Sequence, residues 1–273
     1  MNLNDLINEY MELGYKRIEA SSKVCQDIIL NKISECDFKN NITIKGGVVM
    51  HNISKDVRRA TRDLDLDFIK YSLADDAIIN FISKLNKVND GIIITIIGNI
   101  EKLHHQDYDG KRLNISLKDN YNNIIDTKLD IGVNKFLELE QEEMCFDLSM
   151  LDNEITLLAN SCEQIFSEKL KSLLKFGIRS TRYKDIFDFY YLIKNKKLDK
   201  EKLIKCFDIL IYKDDTMNEI NIEDIIKRLD GIFNNVGYRK ILGQANNNWL
   251  GLSVDEVTDF VIIYFKSLSK LSV

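Results

Sequence analysis

The sequence predicts an α/β protein of the mixed, α+β kind, with a central sheet and flanking helices over residues 1–155 and a helical domain over 156–273. Three observations carry that reading. Around Gly46-Gly47 a strand-like run, Ile42-Thr43-Ile44, gives way to a segment of helical character. From Asp63 to Phe68 polar and apolar residues alternate strictly, the period of a strand with one buried face. Beyond Leu151 apolar residues recur at three-and-four spacing in one stretch after another, as on amphipathic helices.

Taken in chain order, Leu3 to about Ser34 reads as helix on Leu3, Leu6, Ile7, Tyr10, Met11 and Ile18, with Gly14 as the place for a break. A strand through Ile44 then runs into the Gly46-Gly47 turn and a short helical stretch from Val48 to Ser54. In the next strand Asp63, Asp65 and Asp67 fall on one face and Leu64, Leu66 and Phe68 on the other. Ser72 is placed to cap a helix through about Leu85, with Asp75 and Asp76 where the helix dipole favours acids. Three further strands are expected at Gly91–Ile100, Arg112–Leu117 and Ile124–Val133. Helices follow at Cys162–Lys175, Tyr183–Lys194, Lys200–Tyr212, Ile222–Phe233 and Val254–Leu271. Asn234-Asn235 with Gly237, and Asn246-Asn247-Asn248, read as loops.

Composition narrows the function classes. A formal net charge of -5 argues against the general basic footprint of a nonspecific nucleic-acid binder, so a nucleic-acid partner has to rest on local residues. The 5 cysteines include no C-x-x-C pair, which points away from both a zinc knuckle and a disulfide framework. No apolar run approaches the roughly 20 residues a membrane span needs, and the first residues lack the pattern of a signal peptide, so the expectation is a cytoplasmic protein with no membrane partner. There is neither a P-loop nor a dinucleotide fingerprint.

What remains is a set of carboxylates beside a glycine turn. Asp63 and Asp65, two positions apart on one strand face, point toward a common centre, and Mg2+ prefers such hard oxygen ligands together with phosphate and water. Asp130, alternating with Leu129 and Ile131 in an otherwise apolar strand end, is the candidate third carboxylate. Two divalent ions about 4 Å apart stabilise the attacking and leaving oxygens of a nucleotidyl transfer. Backbone N–H groups at Gly46-Gly47, with a helix starting behind them, offer the anion site a triphosphate requires.

Lys45-Gly46-Gly47 followed by Arg59-Ala60-Thr61-Arg62-Asp63-Leu64-Asp65-Leu66 resembles the "GG, R-x-[ST]-x-D-h-D" signature of the AbiEii/AbiGii toxin family, which includes the MenT toxins and has a polymerase-β-like nucleotidyltransferase core. Glu168-Lys169-Leu170 and then Arg182-Tyr183-Lys184-Asp185-Ile186-Phe187-Asp188 are similar to that family's "E-K-L … R-x-K-D-h-x-D-h" segment. The resemblance runs from about Ile42 to Leu192 and implies such a core joined to a helical domain, with activity as the toxin of a toxin–antitoxin or phage-exclusion system. Some relatives add nucleotides to the 3′ acceptor end of tRNA and so block translation. By that analogy Asp63 and Asp65 bind metal, Lys169 contacts the nucleotide phosphates, and either Asp185 or Asp188 completes the catalytic set. The expected nucleotide-binding residues are Lys45, Gly46, Gly47, Thr61 and Lys169, the expected cofactor is Mg2+, and the expected partners are an NTP, an RNA such as tRNA and a cognate antitoxin. The 15 residues between Gly47 and Asp63 leave room for an extra turn from Val48 to Arg62.

Plainer readings stand beside these. Alternating aspartates also occur on solvated strand edges, and Asp67 in particular reads as an exposed residue of that kind. Asp130 alternatively pairs with a nearby lysine or arginine. Lys171, Lys175, Arg179 and Arg182 form a basic stripe for RNA phosphates if one helix carries them all, and a solvated face otherwise; Gly177 interrupts the run. The histidines His51, His104 and His105 have no ligand spacing, and Trp249 reads as a packing anchor. The sheet motif fixes the donor and not the acceptor, so modification of a small molecule or a protein hydroxyl, or a silent nucleotide-binding protein, are the competing functions. The active site is expected in a cleft between sheet and helical domain.

Overall fold

The computed structural model describes residues 1–103, 110–148, 151, 153–196 and 198–270. The chain forms two compact units, Met1–Asn160 and Ser161–Val273. The expected division at 155 falls inside a strand, β7.

The first unit is built on a mixed sheet of seven strands. These are β1 (Ile42–Ile44), β2 (Leu64–Phe68), β3 (Ile93–Leu103), β4 (Gly110–Lys118), β5 (Ile124–Val133), β6 (Glu142–Leu148) and β7 (Asn153–Ala159). They lie in the order β3-β4-β5-β2-β1-β7-β6. The central pair is parallel, and its register sets Leu64 beside Leu129, Asp65 beside Asp130 and Leu66 beside Ile131. Like thus meets like: the apolar alternate residues of β2 and β5 share one face, and the aspartates share the other. Helices cover the apolar face. Phe68 meets Phe81 of α4 (Asp75–Leu85) edge-on with ring centroids 5.3 Å apart, and both rings are buried. The long α2 (Arg17–Glu35) follows α1 (Leu3–Glu12) after a break at Gly14 and is buried along most of its length. Its Lys32 is fully buried, paired with Asp90 at 2.7 Å and donating to the Ile92 carbonyl at 3.0 Å.

Several sequence expectations shift. Two strands go beyond the expected set: β6 lies in a stretch to which the sequence reading assigns no element, and β7 lies past Leu151, where helical texture is expected. In β7 the buried residues Ile155, Leu157 and Ala159 alternate, but the adjacent Leu158 turns the pattern into a continuous apolar run. Ser72 does not cap α4: its hydroxyl accepts from the Ala74 N–H at 3.1 Å, and Ala74 holds the cap position.

The second unit is helical: α5 (Cys162–Phe176), α6 (Lys184–Asn195), α7 (Lys200–Phe207) continuing as a π-helical turn to Tyr212, α8 (Ile222–Phe233), α9 (Val236–Leu242) and α10 (Val254–Ser269). Its core is aromatic, with Phe166 against Phe189 at 4.7 Å and Phe207 stacked on Phe265 at 6.0 Å. The segment read as loop at Asn234-Asn235 and Gly237 is the start of α9, because Asn235 accepts from the Tyr238 N–H at 2.9 Å as a helix cap. Leu271, the expected end of α10, lies outside the described residues.

Candidate functional site

The glycine turn is the N-terminus of α3 (Gly46–Ser54), which leaves β1 through Lys45. Gly46 has a backbone φ of +66°, and a Cβ built there would stand 2.9 Å from Asp65 Oδ2. At Gly47 a Cβ would stand 2.7 Å from Thr61 Oγ1. The two glycines therefore lie directly against two of the predicted site residues, and a side chain at either position would push Asp65 or Thr61 away. The linker from Val48 to Arg62 holds α3 and a short 3-10 turn at Val57–Arg59, which accounts for its length. Thr61 is further tied to α2, its carbonyl accepting from Gln26 Nε2 at 3.0 Å.

Asp63 is exposed and immediately precedes β2, while Asp65 is half-buried within it. Asp130 follows as the cross-strand neighbour of Asp65, and Arg112 of β4 is in turn the neighbour of Asp130. Arg112 donates from Nε to Asp130 Oδ1 at 2.7 Å and from Nη2 to Asp130 Oδ2 at 2.6 Å, a bidentate pair that engages both carboxylate oxygens. The hydrogen bonds to Asp130, and after them the fields of Asp130, Asp63 and Asp65, raise the Arg112 pKa above its ordinary value. Asp130 thus takes the arginine-paired form that the sequence left open, and among the described residues no three His, Cys, Asp or Glu side chains form a group able to hold a metal ion. Of the three expected metal ligands, Asp65 and Asp130 are cross-strand neighbours, Asp63 lies two residues before Asp65, and the guanidinium of Arg112 engages Asp130.

Asp67 departs from its sequence reading. It is 6% exposed, and Lys45 Nζ, itself buried, donates to its Oδ2 at 2.9 Å. The reason is register: Asp67 lies opposite Thr43 of β1, two residues before Lys45, so the lysine folds back along the same face. Lys45, expected at the nucleotide, holds this aspartate.

In the second unit, Lys169 of α5 is paired with both aspartates of α6, Asp185 and Asp188, the latter at 3.0 Å. Asp188 is fully buried and also accepts from Trp249 Nε1 at 3.1 Å, which makes Trp249 the expected packing anchor with a polar tie. Asp185 is the more accessible of the two, at 7%. The basic stripe is not continuous: α5 ends at Phe176, and Lys171 is held by Asp214, whose pKa falls to about 2 as hydrogen bonds from Lys171 and Thr216 outweigh its burial. Arg179 and Arg182 are exposed beyond the break.

A cavity of about 90 Å³ lies elsewhere in the first unit, among Tyr10, Tyr15, Asp27 and His51, and none of the glycine-turn residues or strand aspartates lines it. His51 is buried and shares a 2.8 Å hydrogen bond with the Tyr15 hydroxyl. Burial, and then the nearby cations Lys23, Arg59 and Lys55, push its pKa down to about 3. It is a neutral core histidine. His104 and His105 lie outside the described residues.

Sequence reasoning missed Arg112 and the Lys45–Asp67 pair. Strand alternation puts Arg112 on the polar face with Asn114 and Ser116, but only the register of β4 against β5 says which acid it meets.

A glycine turn packed on a strand aspartate, with a second acid beside it across the ladder, is the equipment of an enzyme that transfers a nucleotidyl group. Residues 28–248 match the family model described as nucleotidyl transferase AbiEii toxin, type IV toxin–antitoxin system, and the chain belongs to that family. A search of curated proteins finds no match. Among solved structures, the chain is similar to an antigenic nucleotidyltransferase-like protein from Paracoccidioides brasiliensis, at 16% identity and a TM-score of 0.39 over 86% of this chain and 95% of that one, a likeness too slight to carry an argument. Among the described residues no helix is long and apolar enough to cross a membrane.

Proposed function

We propose that the chain transfers a nucleoside monophosphate from an NTP to the 3′ hydroxyl of an RNA, with the tRNA acceptor end as the favoured acceptor, and that it does so with Mg2+. The observation that carries this reading is the contact between Gly46 and Asp65, which brings the anion-binding turn and the acidic strand to one point. Asp63 and Asp65 offer the hard oxygens that a divalent cation prefers, and the missing Cβ at Gly46 lets the turn approach Asp65 Oδ2 closely. Bound there, Mg2+ would supply positive charge for the α-phosphate and the leaving pyrophosphate.

The chain's own residues do the rest. Backbone N–H groups at the start of α3, with the positive end of the helix behind them, hold the phosphates. Thr61, fixed by Gln26, closes the turn beside Gly47. Arg112, oriented by Asp130, presents its remaining N–H groups to the negative charge that grows in the transition state. The RNA oxygen bonds to the α-phosphorus as the bond from that phosphorus to the bridging oxygen breaks. The hydroxyl proton leaves to solvent, and pyrophosphate departs with the electron pair. Within the second unit Asp185 and Asp188 hold Lys169, Trp249 donates to Asp188, and the exposed Arg179 and Arg182 are left for RNA phosphates.

Incubation with Mg2+, each labelled NTP in turn and total tRNA tests the acceptor. Label on tRNA that is lost when its 3′ hydroxyl is oxidised with periodate supports the proposal. Label that enters a protein or a small molecule instead moves the acceptor to that class.

A further inference from the structure

The helical unit carries more lysines and arginines than acids, against a net charge of -5 for the whole chain. Part of that excess gathers where α5 ends. Gly177, at a φ of +55°, turns the chain out of α5 into a 3-10 turn, Gly177–Arg179, and Ser180 closes it by donating from its N–H to the Gly177 carbonyl at 3.0 Å. Two large apolar side chains face solvent here, Phe176 at 42% and Ile178 at 53% exposure, with the exposed Arg179 in the turn and Arg182 three residues on. A third arginine comes from α8. A Cβ at Gly177 would stand 2.8 Å from Arg228 Nη2, so the glycine makes room for that guanidinium. Arg228 donates from Nε at 3.4 Å and from Nη2 at 3.3 Å to the Leu174 carbonyl, which fixes the fork and leaves Nη1 without a partner among the described residues.

One arginine at a helix C-terminus satisfies a last carbonyl and suits the helix dipole, and Arg228 does both. That account does not reach Arg179 and Arg182. Among the described residues neither makes an ion pair, and nor does Arg228, although Asp224 lies one turn before it on α8; that carboxylate accepts from the Ile220 N–H at 3.2 Å. Lys171, by contrast, is paired with Asp214. Three like charges around one turn repel each other and return nothing to folding, an arrangement that an anionic partner relieves. The exposed phenyl ring narrows the partner. A duplex buries its base faces, whereas an unpaired base stacks on an aromatic side chain while arginines hold the phosphates on either side. We infer that this turn is where the chain holds single-stranded RNA, with Phe176 stacked on a base and Arg179, Arg182 and Arg228 on the flanking phosphates.

The inference rests on the RNA-acceptor reading, and a binding assay run without NTP or metal separates the two. Kd is measured by fluorescence anisotropy for a labelled RNA oligonucleotide, single-stranded or annealed to its complement, across a range of KCl concentrations. With the single strand, Phe176→Ala should weaken binding about 10-fold and leave the salt dependence unchanged, and Phe176→Trp should bind as the wild type does. Arg179→Gln should weaken binding and lower the slope of log affinity against log salt by about 0.7, the value for one phosphate contact on a single strand. Arg228→Gln should do the same; Arg179, whose guanidinium has no partner among the described residues, keeps the test valid if loss of the Arg228 cap unfolds α5. Annealed RNA should bind less tightly, with no response to Phe176→Ala. Single-strand affinity that neither Phe176→Ala nor Arg179→Gln changes, while the wild type still labels tRNA, would overturn the inference and leave the RNA-acceptor reading standing. A wild type that neither binds nor labels RNA would overturn both. A wild-type dimer that Phe176→Ala splits, with RNA affinity unchanged, would assign the turn to a second copy of the chain and overturn the inference.

Discussion

Replacing Gly46 with alanine tests how closely the turn is fitted to the acidic strand, and Gly14 provides the control. Both glycines have positive φ, +66° and +97°. They differ in surroundings: a Cβ at Gly14 meets nothing within 4 Å, whereas one at Gly46 meets Asp65 Oδ2 at 2.9 Å. Gly14→Ala should therefore cost only the left-handed backbone term, about 1–2 kcal/mol. Gly46→Ala should cost that plus an overpacking term of about 1–3 kcal/mol, together about 2–5 kcal/mol. The contacting atom belongs to one side chain, so the excess should vanish in an Asp65→Ala background, where Gly46→Ala should cost no more than Gly14→Ala. Urea unfolding of the four proteins in that cycle, with Gly14→Ala alongside, measures the coupling directly. Activity supplies a second readout: a displacement of Asp65 approaching 1 Å should slow the proposed transfer about 100-fold. Equal costs for Gly14→Ala and Gly46→Ala in the wild-type background, with no coupling to Asp65, would refute the close approach on which the site is built.

Asp67→Ala leaves Lys45 buried without its carboxylate and should destabilise the chain by about 3–5 kcal/mol in urea unfolding; a change under about 0.5 kcal/mol would return Asp67 to the status of a solvated edge residue. Lys169→Met removes the cation that Asp185 and Asp188 share and should cost about 3–5 kcal/mol in urea unfolding; a loss under about 0.5 kcal/mol would show that the ion pairs contribute little. His51 has a folded pKa of about 3 against an ordinary value of 6.5. Below 6.5 the unfolded chain binds the proton that the folded chain refuses, so this stabilisation is full above 6.5 and is lost as the pH falls toward 3. The loss is up to about 5 kcal/mol, and His51→Gln should flatten that part of the stability profile. An unchanged acid slope in the variant would assign the loss to other groups.

The parts of this molecule that are legible in the sequence are those set by local periodicity. The alternation from Asp63 to Phe68 identifies which residues of β2 face the core, and the Gly46-Gly47 turn marks the passage from strand to helix. What escapes depends on register and on contacts between distant segments. Arg112 meets Asp130 through the pairing of β4 with β5, and Lys45 meets Asp67 through that of β1 with β2. No spacing within one strand encodes either pair. Where local signals compete, the reading also fails: the apolar run of β7 masks its alternation, and an asparagine that looks like loop punctuation caps α9. The basic stripe fails for a further reason, since a lysine's partner lies outside its own helix and Lys171 finds Asp214.

The central claim is that the α-phosphoryl group of an NTP, and not the γ-phosphoryl group, moves to RNA through Asp63 and Asp65. The direct measurement is a pair of reactions with tRNA and Mg2+, one with NTP labelled at the α-phosphate and one at the γ-phosphate, run on the wild type, Asp63→Asn and Asp65→Asn. The account predicts that α-label enters RNA and γ-label is released as pyrophosphate with the wild type, and that neither occurs with either variant. Entry of γ-label into the acceptor, or α-label transfer undiminished in Asp65→Asn, would contradict it.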